Sequence, residues 1–131
     1  MEAHAASKGA EIRDKYGPEI GWGQLQEILK DRTLVRYPCE LVFDSNALVP
    51  GECANAQPKS DDPAEGFTIY IHPFFVSQPA DALALALYQL VVVNYGPFAS
   101  ADDAEAFSAA AFGISKDELY DRMCQIADQL T

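Results

Sequence analysis

Histidine is nearly missing from this 131-residue chain: there are two, His4 and His72, far apart in sequence. The three cysteines, Cys39, Cys53 and Cys124, are odd in number and scattered, with no Cys-x-x-Cys among them. So few imidazoles and thiols point to neither a zinc knuckle nor a disulfide framework, and the thiols are expected to be reduced in a cytoplasmic protein. Positive charge is scarce too. Nine basic residues stand against 20 acidic ones, for a net charge of −11, which argues against a nucleic-acid or anionic-membrane surface because phosphates would be repelled. The longest apolar stretch, Ala82 to Val93 broken only by Gln89, is too short to span a bilayer, and the opening "MEAHAASKGA" lacks the basic start and apolar run of a signal peptide. No internal repeat or low-complexity segment appears.

What is present is apolar residues at 49% of the chain, aromatics at 11%, and enough length to bury one core without staples, which implies a single domain over 1–131. The acidity is concentrated after residue 60. Residues 61–131 hold 11 acids and two bases, whereas residues 1–60 hold nine and seven. Such a half is read either as solvated helix faces or as a docking surface for a basic partner.

Along the chain, residues 1–10 read as a flexible, frayed tail or a short helical lead. A helix follows, from Pro18 or Gly23 to Arg32, with Leu25, Ile28 and Leu29 at helical spacing. "TLVRYPCELVFD" reads as a strand in which Leu41 and Phe43 alternate with Glu40, Val42 and Asp44. Residues 45–66 are rich in Pro, Gly, Asn and Asp and read as a long loop, with at most one short strand near Gly51 to Ala56. "GFTIYIHP" is the clearest strand, with Phe67, Ile69 and Ile71 on one face and Thr68, Tyr70 and His72 on the other. "SQPADALALALYQLVVVNYGP" predicts a helix buried on all sides, capped by Ser77, started at Pro79 and stopped at Gly96-Pro97; the alternative is a strand from Leu90 to Tyr95, because three consecutive valines lower helix propensity. Two more helices are announced by Ser100 with Asp103 and by Ser115 with Glu118.

A zinc peptidase helix uses His-Glu-x-x-His because imidazoles four residues apart share a helix face and ligate one ion, while the Glu stands beside the metal-bound water as general base. "YQLVVVNYG" laid on "HELVHVNYG" keeps the packing positions Leu90, Val91 and Val93 and replaces each chemical one. Residues 67–113 resemble the zincin-like metallopeptidases, in particular short one-domain members in which a strand of form xIxIxP leads into the motif helix and the next helix brings a carboxylate ligand. The resemblance puts Tyr88 and Val92 at the histidines, Gln89 at the glutamate, and Glu105 at the carboxylate ligand, with Asp102 as its substitute.

That resemblance implies an α+β fold of minimal zincin-like architecture, a small sheet on a central buried helix with flanking helices. It also implies a catalytically inactive domain with zinc lost and no cofactor. In peptidases of this type a substrate pairs as an extra strand with the sheet edge above the helix, so the expected surviving role is binding a protein or peptide partner by strand addition. The alternatives are a hydrolase with a noncanonical site built from Glu105 and His72 with a thiol or an adventitious metal, or an acidic protein-interaction module. A buried Gln89 needs a hydrogen-bond partner under any of these readings.

Overall fold

The computed structural model describes residues 1–130 and shows an α+β domain of five α-helices and one three-stranded sheet. Helix α1 (Glu2–Tyr16) and helix α2 (Trp22–Lys30) come first. They are followed by strands β1 (Cys39–Phe43), β2 (Ala54–Pro58) and β3 (Phe67–Ile71), and then by helices α3 (Pro79–Tyr95), α4 (Ala101–Phe112) and α5 (Lys116–Asp128). The sheet order is β1-β3-β2, with β1 parallel and β2 antiparallel to the central β3.

Helix α3 is the hub. It packs on β2 and β3, on α2, α4 and α5, and ten of its 17 residues are buried. The unbroken Ala-Leu series before the valines decides the matter for helix over strand, because Val91 and Val93 pack into the core as helical residues. Gln78 holds the N-cap position without a side-chain bond, while Ser77, the expected cap, ends a 3₁₀ turn over Pro73–Ser77. Pro79 opens the helix and Gly96, at a φ of 69°, closes it. On α4 the anticipated capping box forms in full: Ser100 Oγ accepts from Asp103 N and the Asp103 carboxylate accepts from Ser100 N.

Two segments differ from the sequence reading. Residues 1–10, expected as a flexible tail or a short helical lead, are helical from Glu2 onward as part of the 15-residue α1, whose most extensive packing is against α4. The face that does this is made of small residues, Ala5 and Gly9, followed by Ile12, so it lacks the large apolar stripe by which a buried helix is recognised. Residues 45–66, expected as a loop, contain β2 and a 3₁₀ turn over Pro63–Glu65, and the strand sits a few residues beyond the one anticipated at Gly51 to Ala56. Its residues, Ala-Asn-Ala-Gln-Pro, have poor strand propensity, and pairing with β3 overrides that weakness.

Asp31 ties the end of α2 to α1. Its carboxylate pairs with Lys15 and accepts from Tyr16 Oη at 2.8 Å, Thr33 Oγ1 at 2.6 Å and Thr33 N at 3.0 Å. The bonds from Lys15, Thr33 and Tyr16 hold its pKa well below the usual carboxylate range. Because the folded value is depressed below the unfolded one of about 3.9, Asp31 contributes stability that is fully present above roughly pH 5 and is lost progressively as the pH falls toward the folded value. Urea unfolding of Asp31→Asn should therefore show its deficit relative to the natural chain at neutral pH and a shrinking deficit below about pH 4. A deficit independent of pH would contradict this assignment.

Candidate functional site

The four positions singled out by the motif comparison are built on α3 and α4. Along α3, Tyr88, Gln89 and Val92 are the half-buried residues in a run from Ala82 to Asn94 that is otherwise buried, so they form one outward stripe. Each side chain meets a different neighbour.

Tyr88 faces α4. Burial raises its phenol pKa, and the negative charges of Glu105 and Asp102 raise it further, which places both carboxylates of α4 within electrostatic reach of the Tyr88 ring. Glu105, the position that the resemblance gives to the carboxylate ligand, makes no hydrogen bond to Tyr88 and acts on it through charge alone. Val92 lies farther along the helix, in the wall of an apolar groove of about 550 Å³ with Tyr37, Phe67 and the exposed Phe98.

Gln89 turns to the sheet. The register Ala54↔Ile71 to Pro58↔Phe67, with His72 N donating to Cys53 O, makes Asn55 and Gln57 bond β3 and aims the backbone groups of Ala54, Ala56 and Pro58 away from the sheet. Gln89 Oε1 accepts from Ala56 N at 3.2 Å, and Gln89 Nε2 donates to Ala54 O at 3.5 Å. The carboxamide therefore takes one donor and one acceptor from the outer edge of β2, as a peptide group of an added strand would. Pro58, at the next outward position, has no N–H to offer. Gln89 thus occupies the outer edge of β2 above α3. The hydrogen bonds also supply the partner that a half-buried amide needs.

The residues present do not fit zinc at this site. A phenol with a raised pKa, an amide engaged by backbone and a valine offer no imidazole or ionised ligand beside Glu105. Among the described residues no group of three or more His, Cys, Asp and Glu side chains is placed to hold a metal ion.

Other candidates fall into structural roles. His72 Nδ1 accepts from Phe74 N at 3.1 Å and caps the 3₁₀ turn after β3. Burial pushes the Cys39 thiol up to about 11 and raises Cys53 as well, the opposite of what a nucleophilic thiolate requires. Asp103 is committed to its capping box. No described helix is long and apolar enough to cross a membrane. Two residues escaped the sequence reading altogether. Asn94, buried at the end of α3, donates to Leu34 O at 2.9 Å and accepts from Arg36 N at 2.8 Å, which fixes the backbone leading into β1; Arg36 is held in place by it. Compared with known proteins, the chain matches no family model, no curated protein and no solved structure.

Proposed function

We propose that this chain is a catalytically inactive zincin-like domain that binds an extended segment of a protein partner by strand addition. The zincin-like part is supported by a strand joined through one 3₁₀ turn to a buried helix, an antiparallel edge strand bonded to that helix by Gln89, an outward stripe at positions 88, 89 and 92, and a carboxylate on the next helix whose charge reaches residue 88. Inactivity follows from the side chains on that stripe, which supply neither metal ligands nor a general base.

With β2 closed, the open edge is β1, and this is the observation that carries the binding role. Phe67 N donates to Pro38 O and Asp44 N to Ile71 O, so in the parallel ladder Glu40 and Val42 bond β3 while the N–H and C=O groups of Cys39, Leu41 and Phe43 point outward. No hydrogen bond from another described residue reaches those outward groups. A free edge of this kind is a template for another strand.

Beside it runs a groove of about 470 Å³ between β1 and α2, with Trp22, Leu29, Leu41 and Phe43 as apolar wall and Lys30 and Arg32 along it. Trp22 stacks on Phe43 with ring centroids 6.2 Å apart, which stiffens one end. Neither Lys30 nor Arg32 has an ion pair among the described residues, so the edge favours an acidic segment. That differs from the basic partner which the acidic C-terminal half suggested.

A glutamate-rich, strand-forming peptide titrated into labelled protein should shift and protect from exchange the amides of Cys39, Leu41 and Phe43, and leave Ala56 unchanged. Lys30→Glu should weaken binding, by roughly 0.5–1 kcal/mol for an exposed charge. Protection appearing on β2, or on neither edge, would overturn the proposal.

A further inference from the structure

A second hollow, of about 270 Å³, lies between α1, the α2–β1 connection and the C-terminal end of α3. Its wall carries Lys8, Arg32 and Arg36, together with Asn94 and Tyr95. Three of the nine basic residues of a chain with net charge −11 therefore gather at one solvent-open hollow, Arg32 and Arg36 exposed and Lys8 half-buried. Lys8 is partly engaged, pairing with Glu11 at 3.1 Å and donating to Thr33 O at 3.2 Å. Arg32 and Arg36 have no carboxylate partner among the described residues.

Both guanidinium groups are nonetheless positioned. Arg32 Nη1 donates to Leu29 O at 2.9 Å and Val35 O at 3.4 Å, and the Arg36 guanidinium lies 5.2 Å over the Tyr37 ring while its backbone is held by Asn94. A guanidinium has five N–H donors, so these contacts leave donors over on each. Tyr95 lines the hollow with its ring, while its hydroxyl is turned away from solvent and has no hydrogen-bond partner among the described residues. Of the acids whose charges reach the Tyr95 phenol, Glu11 pairs with Lys8 and Asp103 accepts from Ser100 N in the α4 capping box, so neither pairs with Arg32 or Arg36.

We infer that this cavity binds a phosphate group, either free or as the monoester of a small molecule. Forked guanidinium donors match a tetrahedral oxyanion, and a dianion offsets more of the gathered charge than a single carboxylate. The space corresponds to roughly nine waters at about 30 Å³ each, room for phosphate with a small organic group. The hollow adjoins the groove walled by Val92, with which it shares Arg36, Asn94 and Tyr95, but it does not depend on the zincin-like reading.

The test is an NMR titration of the full chain with inorganic phosphate, and in a parallel arm with glycerol phosphate, at ionic strength held constant with chloride. Saturable shifts of the Thr33 to Arg36 amides and of the Asn94 side-chain amide are expected, with tighter binding of the ester assigning the monoester and equal or weaker binding assigning free phosphate. Arg36→Gln should weaken the affinity about tenfold, the loss of one charge-assisted fork. Arg122→Gln removes the same charge from α5, where the side chain donates to Ala80 O, and should leave the affinity unchanged. If Arg36→Gln does not fold, Lys8→Gln carries the same expectation. Shifts that do not saturate, or equal losses in the cavity variant and in Arg122→Gln, would overturn the inference.

Discussion

Gly9→Ala will destabilise the protein by about 1–3 kcal/mol, the cost of forcing extra volume into a closed interface. A Cβ built on Gly9 would stand 2.1 Å from Phe107 O and 3.1 Å from Ala110 Cβ, so α1 and α4 must separate or shift along each other to admit it. The contrast with ordinary helix behaviour makes this informative, since the same change in a solvent-facing helix interior stabilises by roughly 0.5–1 kcal/mol. The sign of the effect thus decides whether the first helix is docked. Because the obstruction is a backbone carbonyl, shortening the Phe107 side chain should not restore stability to the Gly9 variant. Equilibrium unfolding in urea, with the slope checked for two-state behaviour, measures the effect, and a stabilised Gly9→Ala would place residues 1–10 back in a flexible tail.

Leu87→Ala is expected to cost about 2–5 kcal/mol, the range for emptying a leucine-sized space in a packed core. Leu87 is fully buried on α3, the helix that packs on the sheet and on three other helices, so several elements would have to move together to close the cavity. Its neighbour Tyr88 is half-buried, on the outward stripe. Tyr88→Ala should therefore cost clearly less than Leu87→Ala in the same urea titration. Equal costs would mean that the outward stripe at 88, 89 and 92 is not a surface at all.

The sequence made the C-terminal half of this fold legible because its signals are local. Ser100 with Asp103, Ser115 ahead of Glu118, Pro79 at the start of α3 and Gly96 and Gly113 at helix ends each act within one turn of chain, and each stands where such a residue caps or ends a helix. The alternation of Phe67, Ile69 and Ile71 likewise marked β3. Where the stabilising partner is remote, the reading failed. The small face of α1 has meaning only against the alanines and the Phe107 carbonyl of α4, and β2 holds its place through β3 on one side and Gln89 on the other.

The candidate site divides the same way. Spacing along one helix put Tyr88, Gln89 and Val92 on a shared face, but the apolar run predicted a helix buried on all sides, and the half-exposure of that face was not legible in it. Nothing in the spacing told that Gln89 would bond the outer edge of β2, since that depends on a strand the loop composition concealed. Arg36 and Asn94 were invisible for a similar reason: they are 58 positions apart, joined by a backbone-to-amide bond that leaves no pattern in the chain.

The central claim, that this is a zincin-like scaffold without its chemistry, is tested most directly by returning the two imidazoles. Tyr88→His with Val92→His places them at i and i+4 on the outward stripe, with the charge of Glu105 acting on position 88, and leaves Gln89 bonded to β2; if the scaffold is zincin-like, Glu105 completes three protein ligands with one open position. Calorimetric titration of the folded double variant should show one equivalent of zinc. Its stability against urea should rise by about 2.7 kcal/mol when free zinc is a hundredfold above Kd, and adding Glu105→Gln should greatly weaken that binding. A folded double variant that takes up no stoichiometric zinc, or takes it up equally well without Glu105, would contradict the claim.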